Sequence, residues 1–401
     1  MKAIFTPSCA SGSVMAPPSK SMAHRLLISA ALAKGESTLF GVSLCEDVLA
    51  TADCLEALGV SCRRDGDTVH VTGGLSKDFS KVVLPCRESG STMRFFLPIV
   101  LLSSHECTLT GAPSLLRRPM TVYEELCRTH GLYYSSNEQG ITVKGPLVSG
   151  DYTLPGNISS QFISGMLFAL SQLDGVSRIR ILPPVESRSY IDLTLSALKS
   201  FGADAAWEDD TTLYINGSVS MHAVNACVEG DYSGTAFLEA FNLFGGDVKV
   251  EGLDPASQQG DRVYTELYTH LAKGSPTVSL ENCPDLAPVL FAVAAAKKGA
   301  RFTDTARLKI KESDRAAVMA QELSKLGARV KVLENSVEIE EGELHAPTVP
   351  LHGHNDHRIV MSLSVLLSFL GGEIEGVEAV AKSFPDFFEK IASLGIKVTL
   401  D

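Results

Sequence analysis

The chain has 401 residues, 45% hydrophobic and 20% charged, with a formal net charge of −12. That length exceeds what one hydrophobic core usually supports, so two domains are expected, and the acidic balance argues against a nucleic-acid partner. Nine cysteines, odd in number and without a Cys-x-x-Cys pair, read as reduced thiols rather than a disulfide frame or zinc site. The start Met1-Lys2-Ala3-Ile4-Phe5-Thr6-Pro7 lacks the apolar run of a signal peptide. No stretch reaches the roughly 20 apolar residues that span a membrane, so the expectation is a cytoplasmic protein with no membrane partner.

The first informative stretch is Pro17-Pro18-Ser19-Lys20-Ser21-Met22-Ala23-His24-Arg25. The prolines forbid helix before Ser19, Ser19 or Ser21 can cap a helix starting there, and the residues from Leu26 to Leu32 are apolar enough to be buried. A buried helix whose open end carries Ser, Lys, His and Arg suits a phosphate or carboxylate, because unpaired N–H donors and cations converge there. A capped core helix with two surface cations fits the same residues.

Further along, two signals repeat in phase. Helices end in Gly before a β-branched strand at Gly59, Gly131, Gly202, Gly274, Gly327 and Gly395, and each Gly is expected at positive φ. The steps are about 70 residues, except for one short interval of about 53. Small-polar helix starts recur at Ser19, Ser89, Ser159, Tyr232, Asp285 and Asp356, about 40 residues ahead of each glycine. Between them lie alternating strand patterns such as Thr68 to Thr72 and Ser336 to Glu340. The reading is six units of strand, helix, strand, helix and hairpin, three per domain, with the unit after Gly274 trimmed.

The helix-start loops carry Lys20, Arg25, Arg94, Arg118, Arg188, Lys311, Arg315, Arg358 and Lys382. In an acidic chain this is a local inversion of sign, suited to at least two anionic groups, since Arg offers bidentate donors and Lys a point charge. Asp285 before an apolar run reads, from its position alone, as an N-cap. If Lys311 to Arg315 is helical, Lys311 and Arg315 share one face and Glu312 is turned about 100° away, as in a solvated i,i+4 charge pattern. The cluster His352-Gly353-His354-Asn355-Asp356-His357 has metal-like density, but no other Cys or His group supports it.

Taken together, Pro18-Ser19-Lys20-Ser21…His24-Arg25, Ser89-Gly90-Ser91-Thr92-Met93-Arg94, Arg118-Pro119-Met120, Ser159-Ser160-Gln161-Phe162, Asp285, Lys311-Glu312-Ser313-Asp314-Arg315, Asn355-Asp356-His357-Arg358 and Lys382-Ser383-Phe384-Pro385-Asp386 resemble the 5-enolpyruvylshikimate-3-phosphate synthase (3-phosphoshikimate 1-carboxyvinyltransferase) family. The resemblance covers essentially the whole chain. It implies an α/β fold (α+β), a two-domain inside-out α/β barrel of six βαβαββ repeats that closes on substrate. One domain would be 19-229; the other would be 1-18 and 230-401, with the N-terminal strand included. The chain would cross between them near Ala16 to Ser19 and near Glu229 to Asp231.

The implied reaction moves the enolpyruvyl group of phosphoenolpyruvate to the 5-hydroxyl of shikimate 3-phosphate, with release of phosphate, in the shikimate pathway. By resemblance Asp285, Glu312 and Lys20 are catalytic. Lys20, Gly90, Arg118, Gln161, Arg315, Arg358 and Lys382 would hold phosphoenolpyruvate. Lys20, Ser21, Arg25, Ser159, Ser160, Gln161, Ser187, Tyr190, Asp285 and Lys311 would hold shikimate 3-phosphate. His357 would line the site. No metal or cofactor is implied, the partners are these two small molecules, and the expected state is a monomer.

The chain departs from the family pattern at Arg87-Glu88, where Gly-Asn is usual, and at Phe95, where Pro is frequent. Glu88 beside a phosphate would repel it unless Arg87 pairs with it. Arg307 stands where some members have Asn and is left out of the site. Two alternatives are the UDP-N-acetylglucosamine enolpyruvyl transferase, whose mobile-loop cysteine has no counterpart between Thr108 and Thr121, and a non-catalytic phosphate-binding relative, against which Asp285 and Glu312 speak together.

Overall fold

The computed structural model describes every residue except Ser80, and the chain divides into two compact units: Pro18–Glu229, and Met1–Pro17 with Gly230–Asp401. Each has its own hydrophobic core.

In the continuous unit, three four-stranded sheets repeat one pairing scheme. Val83–Pro85 lies parallel to Glu106–Thr110, which is antiparallel to Gly140–Lys144, which in turn takes Tyr133–Asn137. Asp151–Pro155, Val176–Leu182, Thr212–Asn216 and Asp204–Trp207 follow the same scheme. The third sheet, built on Gly35–Phe40, Thr68–Gly73 and Ser61–Asp65, takes its parallel edge from Ala226–Cys227 at the far end of the unit. Strands such as Val176–Leu182 alternate buried and exposed residues, as a sheet with one covered face requires.

Two sheets of the discontinuous unit follow the same scheme. One is Thr277–Ser279, Ala300–Thr303, Ser336–Ile339 and Val330–Val332. The other is Leu351–His352, Gly372–Glu375, Lys2–Thr6 and Lys397–Leu400, in which the N-terminal strand is an inner strand paired on both sides. Its third assembly is only the parallel pair Ser11–Met15 and Asp247–Glu251. This pair belongs to the trimmed repeat, where the chain passes from helix Tyr264–Lys273 to Thr277–Ser279 with no hairpin between.

The cores are built around apolar helices: Lys20–Leu32, Gly90–Val100 and Ser160–Leu170 in one unit, Tyr232–Ala240, Ala287–Ala296 and His357–Leu370 in the other. Full burial of each large apolar side chain contributes about 1.5–3 kcal/mol. Ser19, Ser89, Ser159, Asp231 and Asp356 cap five of the six through their side chains. Asp285 does not cap the sixth. It lies inside a short 3-10 turn, Pro284–Leu286, that leads into the helix.

Five of the six helix-ending glycines have φ between +67° and +94°, but Gly274 has φ −169°. The expectation of positive φ fails there because the chain leaves the helix extended toward a strand three residues later instead of reversing into a hairpin. All nine cysteines are free, seven of them buried.

Candidate functional site

In the continuous unit, capped helix ends set two groups of polar side chains. Arg25 is 3% exposed on the Lys20–Leu32 helix. Its Nη1 donates to Ser21 O at 2.7 Å, its Nη2 to Tyr190 O at 2.9 Å and its Nε to Thr194 Oγ1 at 2.8 Å. Burial pulls its pKa down to about 10, which leaves it charged near neutrality. The guanidinium also lies over the Phe95 ring, 5.3 Å from its centroid, so Phe95 serves as a platform for this cation. Lys20 Nζ donates to Asp47 Oδ2 at 2.7 Å. Tyr190 sits one turn past Ser187, which is buried with φ +55° at the head of helix Arg188–Ser200.

The second group surrounds Gly90. Gln161 accepts from Arg94 Nη1 at 2.6 Å and donates to Ser91 Oγ at 2.8 Å, while Ser159 Oγ accepts from Gln161 N at 3.3 Å. A Cβ on Gly90 would stand 2.8 Å from Arg118 Nη1 and 3.5 Å from Arg94 Nη1, so the missing side chain is what lets two guanidiniums close over the helix end. Ser160, 6% exposed, is the first residue of its helix.

Below these groups a buried hydroxyl chain ties three helices together. His24 Nδ1 is 2.7 Å from Thr51 Oγ1, which is 2.8 Å from Thr92 Oγ1, whose hydroxyl lies 2.8 Å from Ser89 Oγ. Burial holds the His24 pKa well below its ordinary value, so this imidazole is neutral near pH 7.

The discontinuous unit gathers charges of both signs around Arg315, whose side chain is 1% exposed. Nε donates to Asp356 Oδ2 at 2.9 Å, Nη1 to Asp285 Oδ1 at 2.9 Å and Nη2 to Glu312 Oε2 at 2.6 Å. Asp285 also accepts from Lys311 Nζ at 3.2 Å and, through Oδ2, from Arg358 Nη2 at 3.0 Å. Carboxylates crowd the guanidinium and hold the Arg315 pKa above its usual value despite the burial that opposes it. Burial lowers the Lys311 pKa, partly offset by Asp285. Lys382 Nζ donates to Asn355 O at 2.7 Å.

Lys311 to Arg315 is not helical throughout. Lys311 comes after a 3-10 helix, Ala306–Ile310, and the α-helix starts only at Arg315 because Asp314 caps it by accepting from Ala317 N. The solvated-face pattern is therefore absent, and both cations turn onto Asp285. Arg87, at φ +50°, reaches Glu46 and, at 2.8 Å, Asp53, while Glu88 accepts from Ser114 Oγ at 2.7 Å. Arg188 is turned to the Trp207 ring, 3.9 Å from its centroid. His357 is 1% exposed and Arg307 is buried against Glu281 O. Among the described residues no group of three His, Cys, Asp or Glu is arranged to hold a metal ion.

Three partners were not singled out from the sequence as site residues. Asp47 is one acid in the first turn of helix Glu46–Ala57, and Thr194 lies far from Arg25 in the chain; neither position carries a local signal. Asp356 did carry one, since Asp before an apolar helix is a cap, but its second carboxylate oxygen, Oδ2, which accepts from Arg315, is visible only in three dimensions.

A family model described as EPSP synthase (3-phosphoshikimate 1-carboxyvinyltransferase) matches residues 5–391. A 3-phosphoshikimate 1-carboxyvinyltransferase of Clostridium perfringens is 37% identical over 417 residues, covering 98% of each chain. One of Clostridium kluyveri is 36% identical, covering 98% of this chain and 96% of that one. A solved EPSP synthase structure from Acinetobacter baumannii superposes with a TM-score of 0.79 at 25% identity, over 100% of both chains.

Proposed function

Because the chain belongs to the EPSP synthase family, we propose that it transfers the enolpyruvyl group of phosphoenolpyruvate to the 5-hydroxyl of shikimate 3-phosphate and releases phosphate. The observation that carries this reading is the pair of carboxylates, Asp285 and Glu312, tied to one buried guanidinium beside Lys311 and Arg358. Such an arrangement supplies two proton carriers with fixed orientation and cations for anionic substrates.

Asp285 takes the proton of the 5-hydroxyl, and Glu312 gives a proton to the methylene carbon of phosphoenolpyruvate. The alkoxide adds to the neighbouring carbon, which forms the new C–O bond of a tetrahedral intermediate. Glu312 then takes a proton back from the methyl group as the double bond re-forms. The C–O bond to phosphate breaks, and the proton on Asp285 leaves with the phosphate, so both carboxyl groups return to their starting state.

Lys20, Gly90, Arg118, Gln161, Arg315, Arg358 and Lys382 hold phosphoenolpyruvate in this reading. Lys20, Ser21, Arg25, Ser159, Ser160, Gln161, Ser187, Tyr190, Asp285 and Lys311 hold shikimate 3-phosphate. The units Pro18–Glu229 and Met1–Pro17 with Gly230–Asp401 serve as its two three-repeat domains. The protein works as a cytoplasmic monomer; no helix among the described residues is long and apolar enough to cross a membrane.

The test is phosphate release from phosphoenolpyruvate with shikimate 3-phosphate, alongside a mixture containing UDP-N-acetylglucosamine. Release is expected in the first alone, reduced roughly 10²–10⁴-fold in Asp285→Ala and Glu312→Gln, the range for a lost acid or base. Release only with the nucleotide sugar would move the chain to a different substrate, and release in neither would remove the catalytic reading.

A further inference from the structure

The histidine-rich stretch before Arg358 holds no metal-like group, yet its backbone is unusual. His354 has φ +50° and Asn355 φ +55°, two consecutive non-glycine residues in the left-handed region. Side chains disfavour that region, and such outliers persist only where their surroundings over-determine them.

The determinant is a carboxylate on another helix. Glu322, fully buried on Arg315–Ser324, accepts from His354 Nε2 at 2.8 Å through Oε1. Its Oε2 accepts from His352 N at 2.9 Å and from Lys325 Nζ at 2.7 Å. His354 N in turn donates to His352 Nδ1 at 2.8 Å, and the two rings meet edge to face, 4.6 Å apart. Gly353 leaves no freedom behind the turn, since a Cβ there would lie 2.4 Å from Val360.

What the turn presents is the binding face of this unit. Asn355 O takes Lys382 Nζ, Asp356 takes Arg315 Nε, and Asp356 Oδ1 caps Arg358 N at 3.0 Å. The Arg315–Ser324 helix thus grips the turn twice, by Arg315 on Asp356 at its first residue and by Glu322 on His354 two turns later.

We propose that Glu322 and His354 are positioning residues: their hydrogen bond locks the His354–Asn355 turn and thereby sets Arg358 and Lys382 for phosphoenolpyruvate. This rests on the reading that those two cations hold that substrate. Neither residue touches the reacting atoms.

The variants separate the bond from the backbone. His354→Gly keeps the left-handed turn at no steric cost and removes the bond, whereas His354→Gln keeps a donor at the reach of Nε2. With melting temperature monitored, His354→Gly is expected to raise KM for phosphoenolpyruvate roughly 10- to 100-fold, as for a misplaced binding group, with KM for shikimate 3-phosphate little changed. His354→Gln is expected to recover most of the loss. If His354→Gly does not accumulate as folded protein, His354→Asn, which tolerates the turn but is too short to reach Glu322, carries the same expectation. A glycine or asparagine variant with wild-type KM for phosphoenolpyruvate overturns the proposal. So does a glutamine variant that melts normally and loses as much as glycine. Absence of phosphate release by the unaltered protein would instead remove the reading beneath it, and the proposal with it.

Discussion

Arg315 shows how single residues in this protein carry several duties. Its three guanidinium nitrogens each meet a different carboxylate, so a side chain that would be costly to bury alone is compensated on every side. Lys311 is less well compensated, and burial lowers its pKa from an ordinary value near 10.5. Between the folded and unfolded values the unfolded chain binds more protons at this residue, so its contribution to stability rises as pH increases through that interval. The charge that Lys311 offers to substrate in the proposed site behaves oppositely and is lost earlier on the alkaline side than for a solvated lysine. KM for shikimate 3-phosphate should therefore climb before the ordinary lysine range is reached, and Lys311→Arg should flatten the climb. A profile that stays level up to that range in the unaltered protein would refute the expectation that a Lys311 of lowered pKa holds this substrate.

At the scale of elements, the helices Gly90–Val100 and Ser160–Leu170 illustrate how packing places a cation. Pro98 has no N–H to give the carbonyl of Arg94, one turn earlier, and the Tyr123 hydroxyl lies 2.7 Å from that oxygen and 2.9 Å from Phe162 O. Gly165 makes the approach possible: a Cβ there would be 2.3 Å from Arg94 O and 2.4 Å from the Tyr123 hydroxyl. Gly165→Ala should cost about 3 kcal/mol, at the upper end for an overpacked core, and lower the melting temperature by several degrees. An unchanged melting curve would mean the helices are not held at this spacing. The serine caps at Ser19, Ser89 and Ser159 were legible in the sequence because capping is a local event. The break at Asp314 was legible in principle, since Asp is itself a capping residue; the i,i+4 spacing of Lys311 and Arg315 masked it.

At the scale of the whole molecule, the two units differ in how the chain completes them. Pro18–Glu229 is one continuous segment containing all strands of its three sheets. The other unit needs Lys2–Thr6 as an inner strand, registered with both Gly372–Glu375 and Lys397–Leu400. Residues 18–229 expressed alone should unfold cooperatively on heating, whereas 230–401 alone should not, because removing an inner strand leaves two rows of backbone groups unpaired. Cooperative unfolding of 230–401 would show that the N-terminal strand is dispensable.

The sequence by itself determined the periodic frame, the serine-capped helix starts, the trimmed repeat and the family, because each is written in residue types at short spacing. Tertiary structure alone decided the partners. Lys20 with Asp47, Arg25 with Thr194, Arg315 with Asp285 and Asp356, and Glu322 with His354 pair residues from separate elements, and no local pattern specifies which lone pair meets which donor. It also decided that Arg188 stacks on Trp207 and that Gly274 stays extended. In each case the cause is packing between distant segments, which selects among conformations that the local chain permits equally.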